Sequence, residues 1–314
     1  MLKSFIKFLL IGIGASVFLL IFAIPAKSFA LTVGPAKMEF SVDPGDVITG
    51  KLFLLNDESE TKVLYPTFEK FIEVDGEKRF LAGEPTELTN WFKINAPITL
   101  KPGESKDVPF EIDFPKNAPP GGHFAVIWWS SAPPSATGKT GGGASIVTRA
   151  GILVYSRVSG DIKEDAEILN FDTAEKGRFF SWMPEKFTVS FENKGNVYLK
   201  PKGEITIKNI FGSTKAGFLV NKEDLQILPQ SKKDLRIASQ TMKWGGFGLG
   251  LYKAELNLIY GEGNKKIESG FWFAVITWQI VLPIILGLHI VFFGATKGIK
   301  KYNQWVVSKY TGLR

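Results

Sequence analysis

Alternation of apolar and polar residues at every second position is the feature that most restricts the fold of this chain. In DVPFEIDF (107–114), the valine, the isoleucine and both phenylalanines fall on one side of an extended backbone, and the acidic residues fall on the other. FTVSFE (187–192) and YKAELNLIY (252–260) repeat the pattern. A period of two is typical of a β-strand with one buried face, and helical periodicity is scarce between 31 and 270. The chain is therefore predicted to be mainly β.

Turn signals divide this region into two groups of strands. Segments rich in glycine and proline recur about every 10–20 residues, and each group has roughly seven strands, as in antiparallel sandwiches. We predict an all-β fold class with two tandem immunoglobulin-like β-sandwiches, at 31–159 and 160–270. The chain has no cysteine, so both sandwiches must be stable without disulfides, as domains of this size can be.

The first 30 residues have the layout of a secretory signal peptide. Lys3 and Lys7 precede an uncharged run over 8–26, and Ser-Phe-Ala ends at Ala30 with small residues at the positions that signal peptidase requires. Residues 1–30 are therefore predicted to form an N-terminal signal helix that is removed by cleavage. The alternative is an uncleaved anchor, because an apolar run of about 18 residues can also span a bilayer.

A second apolar segment near the other end predicts a transmembrane helix. No Lys, Arg, Asp or Glu occurs from Ser269 to Thr296, and the predicted helix is 271–296. Aromatic and basic residues at its two ends are predicted to lie at the membrane interfaces: Trp272 and Trp278 outside, and Lys297, Lys300, Lys301, Tyr302 and Trp305 inside. The positive-inside rule then makes 297–314 a basic cytoplasmic tail of a single-pass plasma-membrane protein, with its large domain outside the cytoplasm.

The formal net charge of +7 does not indicate nucleic-acid binding. Eight of the 38 basic residues lie in the first 30 and last 18 positions, which leaves 30 basic residues against 31 acidic ones in the middle of the chain. The basic excess therefore flanks the membrane-like segments, where it sets topology. We predict a membrane partner and no nucleic acid.

The stretch NAPPGGHFAVIWW (117–129) is the strongest candidate for a binding surface. Its strand is apolar on both faces, which is typical of a central, covered strand, and one of its two tryptophans must lie on the outer face. His123, Trp128 and Trp129 are the candidate partner surface. The alternative is that these side chains only pack inside the protein.

The sequence contains little material for catalysis. His123 is the one histidine outside the predicted membrane segments, no cysteine is available, and the glycine-rich tract at 136–145 lacks the first glycine of a phosphate-binding loop. We predict no catalytic residues, no metal site and no cofactor, and hence a protein that is not an enzyme.

Several segments resemble a family of bacterial surface proteins. FSVDPGDVITGKLFLLND (40–57), ITLKPGESKDVPFEIDFP (98–115), APPGGHFAVIWW (118–129) and GILVYSRVSG (151–160) resemble the N-terminal domain of the WxL-interacting cell-surface proteins. That domain is similar to the immunoglobulin-like folds of pilus chaperones and major sperm protein. Residues 160–275 resemble the immunoglobulin-like module that often follows it. The resemblance implies a cell-surface protein that contacts peptidoglycan or other envelope proteins.

These observations predict a membrane-anchored bacterial cell-surface protein with a binding or structural role, which holds a wall polymer or a protein partner near the membrane. The alternative is an accessory subunit of a secretion, pilus or envelope signalling complex.

Overall fold

The computed structural model describes residues 31–83, 87–133, 149–238, 240–244 and 248–312. The predicted signal segment at 1–30 and the whole glycine-rich tract at 136–145 lie outside these residues. The described residues form two β-sandwiches that are followed by one long helix, which confirms the predicted all-β, immunoglobulin-like fold class.

The first sandwich consists of two sheets and a short helix. Its elements are β1 (Leu31–Gly34), β2 (Lys37–Val42), β3 (Val47–Asn56), β4 (Lys62–Val74), β5 (Glu77–Leu81), α1 (Glu87–Trp91), β6 (Phe92–Ile94), β7 (Ile98–Leu100), β8 (Ser105–Asp113), β9 (Gly121–Ser130) and β10 (Arg149–Val158). One sheet has the order β1-β3-β8-β6. The other has the order β2-β10-β9-β4-β5, with β7 also beside β4. All neighbours are antiparallel except β2 and β10.

The second sandwich has nine strands. They are β11 (Ala166–Thr173), β12 (Phe179–Phe180), β13 (Phe187–Asn193), β14 (Lys202–Asn209), β15 (Thr214–Val220), β16 (Ser231–Ile237), β17 (Gln240–Met242), β18 (Gly250–Tyr260) and β19 (Lys265–Val275). A three-stranded sheet, β11-β13-β16, packs on a six-stranded sheet, β12-β19-β18-β14-β15-β17. The predicted boundary at 159/160 falls in the connection between β10 and β11.

The alternating apolar residues are those that fill the two cores. Val108, Phe110 and Ile112 of β8 are buried in the first sandwich, and Phe187, Val189 and Phe191 of β13 are buried in the second. More strands form than the roughly seven per group that turn spacing suggests. The additional ones are short, such as β7 and β12, and too few residues alternate in them to give a pattern.

The apolar run at the C-terminal end is divided between a strand and a helix. β19 continues to Val275, beyond the predicted domain end at 270, because Phe271, Phe273 and Val275 alternate into or towards the core. The helix α2 spans Trp278–Thr311 and includes residues 297–311 of the predicted basic tail. Trp272, which the sequence places at the membrane end of the helix, instead lies in β19. Mean hydropathy alone cannot separate the two elements, because the end of β19 (269–275) and the first part of α2 (278–296) both lack formal charge.

α2 is the one helix among the described residues that is long and apolar enough to cross a membrane. Pro283 lies within it, and its ring nitrogen removes one backbone donor. His289 Nδ1 lies 2.9 Å from the Ile285 carbonyl oxygen one turn earlier. The histidine is thus paired with the backbone of its own helix.

Candidate partner-binding surfaces

β9 carries all three residues of the predicted partner surface, but the sheet separates them. Trp129 is fully buried between the two sheets of the first sandwich, with Ala125 and Ile127 on the same face. Trp128 points to the opposite face, as alternation requires. Trp129 therefore cannot contact a partner in this structure and is removed from the predicted surface.

Trp128 lies on the outer face and is largely covered by its own sandwich. Its Nε1 donates to Glu69 Oε2 over 2.7 Å, and the guanidinium carbon of Arg149 lies 4.2 Å from the centre of its ring system. Phe80 meets it edge-on, with 5.0 Å between ring centroids. An indole held on its ring face, its edge and its N–H has little area left for a ligand.

His123 belongs to a separate contact at the start of β9. Its Nδ1 lies 2.6 Å from Glu87 Oε2, and its Nε2 lies 2.8 Å from the Pro119 carbonyl oxygen. The ring also lies against Trp91, with centroids 5.0 Å apart. His123 thus fixes α1 and the turn before β9, and it does not form one surface with Trp128.

The outer face of β9 is apolar because the second sandwich covers it. Phe124 and Tyr155 of the first sandwich form ring contacts with Tyr198 of the second, with centroids 6.2 and 5.5 Å apart. Phe71 and Leu228 complete this buried cluster. A strand with two apolar faces is thus explained by two cores: one inside the sandwich and one at the joint between the sandwiches.

Two acidic side chains of the first sandwich reach into the joint and are bound by the second. Glu73 in β4 accepts from the Leu228 N–H (2.9 Å) and the Ser231 hydroxyl (3.1 Å), and it pairs with Lys233. The Glu73 side chain is 1% exposed. A buried carboxylate with three donors is stabilised only while all three are in place.

Glu39 makes the corresponding contact from β2. It pairs with Lys200 and accepts from Gln226 Nε2 over 2.6 Å. Burial opposes ionisation of Glu39, but its contacts with Lys200 and Lys37 hold the pKa of that carboxyl below its ordinary value. The two carboxylates join the sandwiches at separate points, which resists rotation of one sandwich against the other.

A third charged contact lies where the chain crosses between the sandwiches. Arg157 Nη1 donates to Glu164 Oε1 over 2.7 Å, and its Nη2 lies 3.3 Å from Glu262 Oε2. The Glu262 N–H donates to the same carboxylate of Glu164 over 2.9 Å. Burial acts to raise the pKa of Glu164, but these donors outweigh it and hold the pKa below the ordinary value of 4.5.

Acid is expected to weaken this third contact. Because the pKa of Glu164 is lowered in the folded protein, its contribution is complete above about pH 4.5 and is lost as the pH falls through the lowered value. The variant Glu164→Gln lacks this titration. The wild type is therefore expected to lose more stability than the variant between about pH 5 and pH 3, as measured by urea unfolding at each pH. Parallel pH profiles for the two proteins would contradict the assignment.

A groove of about 270 Å³ lies beside the joint. Its charged lining residues are already paired, Arg157 as above, Lys200 with Glu39 and Lys202 with Asp224 (2.8 Å). Burial, and then the negative charge of Glu39, raise the pKa of Tyr198 to about 12, so this phenol stays neutral near pH 7. Among the described residues there is also no cluster of three or more metal-ligating side chains. The charged side chains that line the groove are therefore engaged in ion pairs.

The six-stranded sheet has a long open edge at β19. The Ala274 and Ile276 N–H groups point away from β18 and bond to the carbonyls of Arg178 and Phe180, both at 2.7 Å. By the alternation of an antiparallel ladder, the backbone groups of Lys266, Glu268, Gly270 and Trp272 point the same way. Within the described part of the chain, no strand pairs with them. Sequence reasoning did not find this edge, because which strand ends a sheet depends on the sheet order.

Comparison with known proteins identifies no family for this chain. No family model and no curated protein matches the chain, so the resemblance to WxL-interacting proteins stays a prediction. Solved structures of fimbrial chaperones are similar over most of the chain.

A chaperone–tip adhesin complex of CFA/I fimbriae biogenesis has 14% identity, covers 78% of this chain and 98% of its own, and gives a TM-score of 0.39. The E. coli chaperone DraB has 14% identity, covers 77% of this chain and 98% of its own, and gives a TM-score of 0.34. A Salmonella enterica structure of the SafA pilin with the SafB chaperone has 12% identity, covers 80% of this chain and 98% of its own, and gives a TM-score of 0.36. At these identities the similarity concerns the fold alone.

Proposed function

We propose that this chain is a membrane-anchored protein of the bacterial cell envelope, which binds a protein partner close to the membrane and holds it there. The observation that carries the proposal is the open edge of β19. The partner adds a strand to this edge, and its main-chain groups bond to Lys266, Glu268, Gly270 and Trp272. The proposal assigns no catalytic step to the chain.

The edge suits strand addition because its hydrogen-bonding groups are unused and regularly spaced. Four residues present both N–H and C=O outward at every second position, over about 20 Å of strand. Gly270 lies in the middle of this row with no side chain to obstruct an incoming backbone. An extended peptide gains affinity there from main-chain bonds and specificity from its alternate side chains.

The rest of the molecule supports a holding role. α2 begins three residues after β19 ends, so a partner on this edge is held within one sandwich length of the predicted membrane. The joint, with its aromatic cluster and three charged contacts, fixes the first sandwich relative to that edge. Trp129 is buried and Trp128 is largely covered, so little of the predicted partner surface on β9 is left for a ligand.

Proline substitution tests strand addition without breaking the sheet. Glu268→Pro removes an N–H that points outward, so the β18–β19 ladder keeps its bonds, while Glu268→Ala removes the same side chain and keeps the donor. The full-length chain, with a photo-crosslinking residue at Lys266, is expressed in bacterial membranes. We expect position 266 to crosslink to a partner protein. Glu268→Pro should weaken binding of that partner about tenfold, because one hydrogen bond is lost and docking is strained, whereas Glu268→Ala should leave the crosslink yield unchanged.

A crosslinking residue at Gln240, on the far edge of the same sheet, is the control position, and it should not give this product. Equal crosslinking in the proline and alanine variants would refute strand addition. Retention of the full-length chain on isolated peptidoglycan sacculi, unchanged by either variant, would instead favour a wall-polymer ligand.

A further inference from the structure

We propose that the end of the second sandwich nearest α2 is a membrane-binding surface, which lies on the outer boundary of the bilayer and orients the two sandwiches. This inference rests on the membrane anchoring proposed above. The surface is an apolar rim of six residues, all outside α2: Phe179, Trp182, Ile210, Phe211, Leu249 and Leu251.

The rim residues come from separate segments that the sheet order brings to one end. β12 carries Phe179, the chain after it carries Trp182, the β14–β15 turn carries Ile210 and Phe211, and Leu249 and Leu251 lie at the start of β18. The sheet order β12-β19-β18-β14-β15 places these segments side by side along one edge about 19 Å long, at the strand spacing of about 4.8 Å. α2 leaves from β19, within this row.

These side chains are more exposed than a core or a turn explains. Phe211 is 85% exposed, Phe179 is 76% exposed and Trp182 is 66% exposed. Phe211 lies in a tight turn, where the Gly212 N–H bonds to the Asn209 carbonyl oxygen over 2.9 Å. Polar residues are usual at such a turn, so an isoleucine and a phenylalanine there indicate an apolar or interfacial environment.

The opposite end of the same sandwich provides the contrast. Its turns contain Lys-Gly-Asn at 194–196, Lys-Glu-Asp at 222–224 and Gly-Glu-Gly-Asn at 261–264. At the α2 end, 179–184 and 248–252 contain no charged residue. The charged residues at this end include Glu185, Lys186, Lys243 and those of the turn 174–178, which follows β11 in the three-stranded sheet. Arg178 of that turn pairs with Asp172 over 2.6 Å. Both ends cap the same core, so packing inside the sandwich does not explain why one end exposes apolar side chains and the other exposes charged ones.

The length of the uncharged helix sets the depth of the membrane. Trp278 to Thr296 is 19 residues without a formal charge, which gives about 28 Å of helix against a hydrocarbon core of about 30 Å. With Lys297, Lys300 and Lys301 at the inner boundary, Trp278 must lie at the outer one. The bilayer takes up the whole uncharged part of the helix, so no helical spacer separates the second sandwich from the membrane surface.

The connection to the sandwich is also short and tied down. Only Ile276 and Thr277 separate β19 from α2, so Val275 lies within about 11 Å of Trp278. The Ile276 N–H bonds to the Phe180 carbonyl oxygen (2.7 Å), and Thr277 Oγ1 donates to the Gly248 carbonyl oxygen (3.4 Å). The rim is thus held beside the start of the helix. The six rim side chains are apolar or aromatic, so the rim contacts the headgroup–acyl boundary of a bilayer. None of the six is basic, so this contact does not require anionic lipid.

Lipid quenching of a single label tests the inference on the full-length chain. The chain has no cysteine, so Phe211→Cys creates one labelling site at an already exposed position. The protein carries an environment-sensitive fluorophore and is placed in phosphatidylcholine nanodiscs with lipids brominated near the headgroup end of the acyl chain. The matched control is Lys222→Cys, in an exposed turn at the other end of the sandwich, and Leu288→Cys reports the helix.

We expect the label at 211 to be quenched several-fold more strongly than the label at 222, with no change when anionic lipid is added. Equal quenching at 211 and 222 would overturn the inference. A second set of nanodiscs contains lipids brominated near the ends of the acyl chains. If the label at 288 is quenched in this second set and the label at 211 is quenched in neither set, the anchoring holds and only the membrane contact fails. If neither is quenched, the proposed anchoring fails as well. A label at 211 that is shielded in native membranes but unquenched in nanodiscs would show that a protein covers the rim, and would also overturn the inference.

Discussion

Replacing Trp129 with alanine is expected to lower the free energy of unfolding by about 4 kcal/mol, the middle of the range for large aromatic residues in cores. Trp129 is 0% exposed and lies opposite Ala150 and Pro66 on the two neighbouring strands. Both neighbours are small, so they cannot fill the space that the indole leaves. Urea unfolding of the full-length chain in nanodiscs, followed by circular dichroism, measures the loss.

Trp128→Ala is the matched control, because it removes the same side chain one position along the same strand. Its indole is half-buried and makes one hydrogen bond, to Glu69. We expect a loss of about 1–2 kcal/mol, from one hydrogen bond and partial burial. Equal losses for the two variants, or a larger loss for Trp128→Ala, would contradict the assignment of Trp129 to the core.

Replacing Lys233 with methionine is expected to destabilise the joint by about 3 kcal/mol. The substitution preserves most of the apolar stem and removes the charge that pairs with Glu73. The Glu73 carboxylate then stays buried with only the Leu228 N–H and the Ser231 hydroxyl as donors. Breaking a buried ion pair from one side leaves an uncompensated charge, which costs more than the pair contributes. The same unfolding measurement applies.

A second substitution separates charge from packing. Glu73→Gln in the Lys233→Met background removes the buried charge and keeps an oxygen that can accept from Leu228, so we expect it to recover at least about 1 kcal/mol. Lys194→Met is the surface control. Lys194 pairs with Glu167 through side chains that are 43% and 53% exposed, and we expect no measurable change in stability, because exposed ion pairs contribute little. A loss of stability at Lys194 as large as that at Lys233 would show that the ion pair in the joint contributes no more than a surface ion pair.

Much of the fold could be predicted, because alternation acts through a local rule. Phe187, Val189 and Phe191 alternate in the sequence, and the same three side chains are buried in the second core. β9 reads as a central strand because both its faces are apolar, and it lies between β10 and β4. The end of the second sandwich was misplaced because Phe271 to Val275 fit both a strand and an apolar helix. Only pairing with β18 distinguishes the two.

The joint could not be predicted, because its polar residues look like surface residues in the sequence. Glu69, Phe71 and Glu73 share one face of β4, and acidic residues on both sides of an aromatic one suggest solvent exposure. The donors that neutralise Glu73 lie 155 to 160 positions later in the chain. No spacing rule links residues so far apart.

The sequence by itself determined the longer alternating strands, the division into two sandwiches and an apolar helix near the C-terminus. Period and hydropathy are properties of consecutive residues, so they are readable without a fold. Only the tertiary structure decided which tryptophan of β9 is core, which edge of the second sandwich is open, and that Phe179, Trp182 and Phe211 lie at the same end of the second sandwich as the start of α2. These features depend on sheet order and on contacts between distant segments, where a residue's environment is set by what packs against it.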